Sequence, residues 1–212
     1  MSGEGIDVEE SALINAAIAE DFGAVKEALA LEDVNASNID GWTALHIASR
    51  NRNVEIVHLL LSHPTIDVNV MNRWKCTPLM IAAGSGNLDI VDQLLKHPRI
   101  QVDVRAEYYG RTALIEAALK GHLPVVKTLV THGANVNATD KTGRNSALVE
   151  AIKNHHVNVA TYILRSGLVD FSSSDLRLQA LIWAGSLGGD LLRAELDAAI
   201  GNFFRSRQRA VS

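Results

Sequence analysis

Histidines and carboxylates are the residues of this sequence whose types could carry out chemistry, and His46 is the first candidate. It lies in the stretch TALHIA at 43–48, and a near copy, TPLMIAA at 77–83, has Met80 in its place. An imidazole can act as a general base or as a metal ligand. Its loss from an otherwise similar stretch leaves two alternatives, a chemical role in one copy or a structural role for the position.

Three further histidines, His63, His97 and His132, recur at similar intervals and could be imagined as a row of metal ligands. Equivalent side chains of packed helices lie about 10 Å apart, which is too far to share one ion with bonds near 2 Å. A histidine that is favourable near a helix C-terminus is the simpler interpretation. The adjacent His155 and His156 lack a third ligand at a suitable spacing. The sequence therefore predicts no metal site.

Two glutamates, Glu116 and Glu150, could be considered as paired carboxylates for acid-base catalysis. Glu116 and Lys120 are spaced i, i+4, however, and such residues form ordinary ion pairs on a helix surface. The sequence also lacks a P-loop, a nucleophile elbow and a dinucleotide-binding fingerprint. We therefore predict that the protein is not an enzyme and needs no cofactor.

Composition limits the remaining classes. The 212 residues are 47% apolar and 21% charged, which is typical of globular proteins, and the net charge of −4 disfavours a nucleic-acid binder. The single cysteine, Cys76, excludes an internal disulfide framework. No apolar run approaches the roughly 20 residues of a membrane span, and the N-terminus MSGEGIDVEE does not resemble a secretory signal. We expect a soluble intracellular protein, cytoplasmic and also nuclear.

An internal repeat predicts the helices that hold these residues. Related stretches recur every 32 to 35 residues: SALINAA from Ser11, TALHIAS from Thr43, TPLMIAA from Thr77, TALIEAA from Thr112, SALVEAI from Ser146 and QALIWAG from Gln179. A second apolar pattern follows each anchor, as in VEIVHLLL at 54–61. A period of this length predicts stacked units that bury one another's apolar faces.

Each unit is predicted to hold two short antiparallel helices. In the first, Leu45, Ile47 and Ala48 lie on one side, and Thr43 can cap the N-terminus. Glycine in stretches such as GSGN at 84–87 favours a turn into the second helix. Segments such as ANVNATD, at 134–140, combine β-branched and turn residues, so we expect a projecting hairpin or loop there.

The segments 41–61, 77–95 and 110–140 resemble ankyrin repeats. The resemblance implies an all-α ankyrin-repeat solenoid of stacked helix-turn-helix units with projecting β-hairpin loops. It divides the chain into an acidic lead at 1–10, a repeat domain at 11–200 and a basic tail at 201–212, expected as a frayed end or a contact segment. The six repeats start near 11, 40, 74, 109, 143 and 176, and the first and last are degenerate caps. Departures are the His-Pro insertions at 63–66 and 97–100, an extra residue in GRNS at 143–146, and Lys75 where the family has glycine.

The resemblance also implies a function, the binding of another protein through a concave groove and the hairpin tips. Carried onto this sequence, the contact residues are Trp42, Arg50, Arg73, Trp74, Tyr108, Tyr109, Arg111, Lys120, Arg144 and Lys153. Large aromatics and arginine commonly anchor protein interfaces. Cationic residues outnumber acidic ones along this face, so we expect a partner with acidic and aromatic or apolar features. His46 is expected to bond Thr43 and to link adjacent hairpins.

Several alternatives remain open at this point. The protein is a scaffold or adaptor, or else an inhibitor or regulator of a partner enzyme, or a microbial effector that uses the same groove. We expect a monomer. The stretches around Asn69 and Asn137 resemble sites that an asparaginyl hydroxylase modifies in ankyrin repeats, although the same residues also make ordinary turns.

Overall fold

The computed structural model describes residues 11–172, 177, 180–182 and 189–211. The predicted acidic lead at 1–10, the predicted start of the sixth repeat near 176 and the last residue of the tail lie outside the described residues.

Within residues 11–172 ten short helices form five consecutive antiparallel pairs, and a longer helix lies at 189–211. The pairs are α1 (Ala12–Ile18) with α2 (Phe22–Ala28), α3 (Ala44–Asn51) with α4 (Val54–Leu61), α5 (Pro78–Ser85) with α6 (Leu88–Leu95), α7 (Ala113–Leu119) with α8 (Leu123–Thr131), and α9 (Ala147–Lys153) with α10 (Val157–Arg165). The last helix, α11, spans Gly189–Val211. First helices pack on first helices and second on second, which confirms the predicted solenoid.

A side-chain cap starts the first helix of every pair. The hydroxyls of Ser11, Thr43, Thr77, Thr112 and Ser146 each accept a hydrogen bond from the backbone N–H three residues later, at 3.3 to 3.4 Å. These bonds satisfy amides that have no partner within the helix, so a Ser or Thr at this position fixes where each helix begins. The predicted capping role is confirmed.

Small and branched residues make the stack close-packed. Alanines of the first helices, such as Ala48 and Ala83, are fully buried and let neighbouring helices approach closely. In the second helices the predicted apolar face is buried as well, with Ile56, Val57 and Leu60 all at 0% exposure. Each large side chain buried in this way contributes roughly 1.5–3 kcal/mol.

A row of side chains joins each repeat to the next on the side of the second helices. Asn69 donates from Nδ2 to the Arg99 carbonyl at 2.7 Å and accepts from the Gln101 N–H at 2.8 Å. Asn137 makes the same pair of bonds with residues 168 and 170, at 2.9 and 2.7 Å. Both amides predicted as hydroxylation sites therefore hold the stack together, and their modification stays a prediction.

Four loops project from the stack, each ahead of a first helix. A backbone hydrogen bond closes each loop, and we name them L1 (38–42), L2 (72–76), L3 (106–111) and L4 (140–145), with N···O distances of 3.0, 3.1, 2.9 and 2.9 Å. Antiparallel bridges join Ser37 to Thr43 and Thr139 to Ser146 beside L1 and L4. These loops are the predicted hairpin tips.

The C-terminal segment differs from the predicted tail. Residues 201–211 continue α11 without a break at 200, so the described part of the tail is helical rather than frayed. Leu192 and Leu196 of α11 are buried, and the Phe203 ring packs edge-on against Phe171 at 5.8 Å. This apolar stripe holds the helix against the end of the stack past the expected boundary. In the described residues no helix is both long and apolar enough to cross a bilayer.

Candidate functional site

His46 is fully buried and every polar atom of its ring is engaged. Nδ1 accepts from the Thr43 N–H at 3.3 Å and from the Thr43 hydroxyl at 3.0 Å, and Nε2 donates to the Cys76 carbonyl at 3.0 Å. Burial lowers the pKa of His46 to about 4, so the imidazole is neutral at physiological pH. The ring completes a capping box on α3 and links it to L2. His46 is therefore structural.

The three histidines considered as metal ligands each bond within their own helix end or turn. The Nδ1 atoms lie near Thr65 Oγ1 at 3.1 Å for His63, the Arg99 N–H at 3.3 Å for His97 and the Thr128 carbonyl at 2.8 Å for His132. Among the described residues, no three His, Cys, Asp or Glu side chains lie close enough to hold a metal ion.

Two other histidines have a role that the sequence analysis missed. The Nε2 atoms of His122 and His156 donate to the carbonyls of Gly84 and Leu119 in the preceding repeats, at 3.1 and 3.0 Å. The rings fill the space beside Gly86 and Gly121, where an added Cβ would lie 2.6 and 2.4 Å from ring atoms. Their spacing by one repeat, with a glycine in the facing turn, is the signal that could have found them.

The two carboxylates each pair with a basic side chain. Glu116 pairs with Arg111, with Oε1 to Nη1 at 3.5 Å, instead of with Lys120 as predicted. Glu150 is only 3% exposed and pairs with Lys153, with Oε1 to Nζ at 3.6 Å. Lys153 also donates to Asn145 Oδ1 at 3.1 Å, so this predicted contact residue is already engaged in the protein's own structure.

A groove of about 500 Å³ lies between L2, L3 and the helices beneath them, and we call it the aromatic groove. Six of the ten predicted contact residues line it: Trp42, Trp74, Tyr108, Tyr109, Arg111 and Lys120. Its remaining lining comes from Cys76, Met80, Ile81, Gly84, Ala106 and Glu116. Trp74, Tyr108 and Tyr109 are 44%, 62% and 65% exposed, respectively. The loops thus bring together residues that are distant in sequence.

Contacts among the aromatic and basic side chains set the shape of the rim. The Trp42 ring is half-buried, lies edge-on to Trp74 at 6.3 Å and carries the Arg50 guanidinium at 5.2 Å from its centroid. Arg111 stacks in the same way on Tyr109 at 5.0 Å. Such cation–π contacts hold flat side chains in place and leave their outer faces open.

The other predicted contact residues do not line the groove. Arg50 reaches it only through its contact with Trp42. Arg73 is not part of the lining and pairs with Asp40 of L1, with Nη1 to Oδ1 at 3.2 Å. Arg144 is exposed on L4, and Lys153 is held by Glu150. Four of the ten predicted contact residues therefore lie outside the lining of this groove, and the binding role of all ten stays a prediction.

Positive charge is concentrated at one end of the groove. Arg111 contacts Glu116 through Nη1, but its buried Nε has no hydrogen-bond partner among the described residues. Lys120 is exposed beside it. Burial, and to a lesser extent the Glu116 carboxylate, raises the pKa of the Cys76 thiol, so the floor of the groove is neutral there. The groove is apolar at its base and cationic at this end.

Consecutive helix pairs that stack first helix on first helix and second on second define a repeat protein of the solenoid class. The family model described as "Ankyrin repeats (3 copies)" matches residues 2–72 and 65–140. These matches cover more than half of the sequence, so the chain belongs to the ankyrin repeat family. Ankyrin repeats generally mediate protein–protein interaction, and the family is typically non-enzymatic.

Proposed function

We propose that this protein is a non-enzymatic scaffold or adaptor that binds one partner protein through the aromatic groove. The observation that carries the proposal is the cluster of exposed Trp74, Tyr108 and Tyr109 around one apolar groove. Exposed aromatic side chains beside arginine are the residue types that contribute most to protein interfaces. A groove of this kind buries an apolar or aromatic side chain of the partner.

Charge selects an acidic partner. The groove's own carboxylate, Glu116, is already paired with Arg111, and Asp40 near the rim is paired with Arg73. Lys75 and Lys120 remain as exposed cations around the groove. A protein with acidic and aromatic or apolar features fits this arrangement, whereas the net charge of −4 disfavours nucleic acid. The protein acts as a monomer in the cytoplasm and also in the nucleus.

An inhibitor or regulator of a partner enzyme, or a microbial effector, would use the same groove. These alternatives predict that the captured partner has an enzymatic activity that changes on binding. A scaffold or adaptor leaves that activity unchanged and recruits a second protein. An activity assay on the identified partner, with and without this protein, separates the two.

The test is affinity capture from the native source, followed by mass spectrometry. The wild-type chain is compared with the double variant Trp74→Ala/Tyr108→Ala and with a matched control, Leu31→Ala/Leu168→Ala, whose side chains are 86% and 53% exposed but lie away from the groove. We expect the groove variant to lose the partner at least tenfold and the control to retain it. Equal capture by a groove variant with an unchanged thermal melt would contradict the proposal.

A further inference from the structure

The four loops leave three intervals between neighbouring loops: L1–L2, L2–L3 and L3–L4. Backbone hydrogen bonds join the loops in the first and the third interval. The Arg73 N–H donates to the Asp40 carbonyl at 2.8 Å between L1 and L2, and the Lys141 N–H donates to the Tyr109 carbonyl at 2.9 Å between L3 and L4. All of residues 72–111 are described, and within them no backbone hydrogen bond joins L2 to L3. The Trp74 carbonyl corresponds to the Asp40 and Tyr109 carbonyls, and its only donor in the described part of the chain is the Cys76 thiol at 3.8 Å.

One residue in L2 explains the missing bond. Gly41, the fourth residue of L1, has positive φ, and a Cβ added to it would lie 3.0 Å from the Arg73 nitrogen. Gly110, the fifth residue of L3, also has positive φ, and a Cβ added there would lie 2.5 Å from the Lys141 nitrogen. The joined intervals therefore require glycine. L2 has Lys75 at this position, with φ of +57°, and its Cβ occupies the space that the next loop would need.

The helix beneath the same interval also lacks a link. His46 joins α3 to L2 through the Cys76 carbonyl, but the equivalent residue of α5 is Met80, whose side chain has no N–H to donate to L3. L3 is in addition one residue longer ahead of its glycine, since its inner turn joins Gly110 to Ala106 instead of spanning three residues. The aromatic groove opens at this gap, and Met80 forms part of its lining.

We propose that the gap between L2 and L3 receives an extended acidic segment of the partner protein. This deepens the proposed function and rests on it. The segment's backbone N–H donates to the Trp74 carbonyl, and its carbonyl accepts from an L3 amide at Glu107 or Tyr108. An aromatic or large apolar side chain of the segment packs on Met80 and Ile81. Backbone pairing supplies affinity in this mode and the side-chain pocket supplies specificity.

Arg111 gives the reason for acidic character. Its guanidinium and the exposed Lys120 lie together at one end of the groove, and the carboxylate in the lining, Glu116, contacts Arg111 at 3.5 Å. A carboxylate from the segment pairs with these two cations. A basic segment would instead add like charge at the same place.

The experiment uses two substitutions of one residue on the full chain. Lys75→Ala and Lys75→Gly both remove the ammonium group, but only glycine removes the Cβ that keeps the loops apart. The probe is a display library of random nine-residue peptides selected on the wild-type protein, with the best peptide then synthesised for titration. We expect selected sequences to be rich in Asp and Glu with one aromatic or large apolar residue. Lys75→Gly should bind the peptide about tenfold more weakly than Lys75→Ala, since the closed loops take up its backbone partners.

A second arm tests backbone pairing directly. The selected peptide is resynthesised with a single N-methyl group at each position in turn, and one position should lose about tenfold affinity for want of the donor to Trp74. Equal affinity of the two Lys75 variants, tolerance of every N-methyl group, or selection of basic sequences would each overturn the proposal. So would a dimer that separates on Trp74→Ala/Tyr108→Ala, because the groove would then hold a second copy of this chain. Groove-dependent capture of a native partner in that case would still support the proposed function.

Discussion

Two neighbouring intervals of the stack follow one template and use it differently. Between L1 and L2 a glycine, an exposed ion pair and the buried His46 join each loop to its surroundings. Between L2 and L3 the same positions hold Lys75 and Met80, and the loops stand apart around the aromatic groove. The repeated residues build the stack, and the proposed binding site lies where the template is broken.

The largest expected effect is the loss of folding stability at acidic pH that protonation of His46 causes. Its pKa is about 4 in the folded protein and near 6.5 when unfolded, so the unfolded state takes up a proton first as the pH falls. The stabilisation is complete above pH 6.5 and is lost as the pH falls towards 4, by about 3 kcal/mol in all. Urea denaturation at a series of pH values measures it.

His46→Met is the matched control, since it places in one interval the residue that its neighbour has at Met80. The variant should be less stable than the wild type at neutral pH by about 1–2 kcal/mol, because the hydrogen bonds of the ring to Thr43 and to the Cys76 carbonyl are lost. The difference should shrink or reverse towards pH 4. A constant difference across the range would show that the imidazole is not buried as a neutral group.

The next effect compares two glycines of similar backbone conformation. Gly110→Ala places a Cβ 2.5 Å from the Lys141 nitrogen at a φ of +67°, whereas Gly143→Ala has a φ of +71° and nothing within 4 Å. We expect Gly110→Ala to lower the free energy of unfolding by about 2–3 kcal/mol and Gly143→Ala by about 1 kcal/mol, the cost of the left-handed backbone alone. Equal losses would mean that close loop packing contributes nothing at L3 and L4.

A smaller effect of opposite sign is expected in the open interval. Lys75→Gly relieves a left-handed non-glycine backbone and lets L2 and L3 form the bond that the other intervals have. The melting temperature should rise, and the free energy of unfolding should increase by about 1 kcal/mol. Lys75→Ala keeps the strain and should be close to neutral. Destabilisation by Lys75→Gly would contradict the comparison of the two intervals.

The smallest effect belongs to the ion pair that accompanies the joined interval. Arg73→Ala removes the contact with Asp40, but both side chains are largely exposed, at 68% and 39%. Such pairs contribute about 0.5 kcal/mol and are screened by salt. The backbone bond from Arg73 to Asp40 survives the substitution. A loss above 1 kcal/mol that persists in 1 M salt would show that the side chains, and not the backbone, join L1 to L2.

The fold was accessible from sequence because its determinants are local and repeated. Thr43 and its equivalents each cap the helix that follows by bonding the backbone N–H three residues later. The alanines and branched residues recur at the same positions of each repeat, so the period alone predicts the stack. The grouping of Trp74 and Tyr108 around one groove was also predictable, because loops that project from equivalent positions place both side chains on one side.

The remainder depends on contacts between repeats that no single repeat encodes. Glu116 forms its ion pair with Arg111 instead of Lys120, because L3 places Arg111 beside it. Glu150 is buried by the neighbouring repeats. His122 is recognisable only when paired with Gly86 of the preceding repeat. The gap between L2 and L3 at Lys75 could not be predicted from sequence, because it depends on the distance between the two loops. The helix through residues 201–211 depends on packing of Phe203 against Phe171, far away in sequence.

The central claim, that the loop row is open at L2–L3 and closed on either side, is tested most directly by amide hydrogen exchange in the free wild-type protein. The Arg73 and Lys141 amides donate across their intervals, whereas the Glu107 and Tyr108 amides have no such acceptor in L2. NMR should find Arg73 and Lys141 protected, and Glu107 and Tyr108 exchanging at rates close to those of an unstructured chain. Protection of Tyr108 or Glu107 equal to that of Lys141 would show that the interval is closed and would contradict the account.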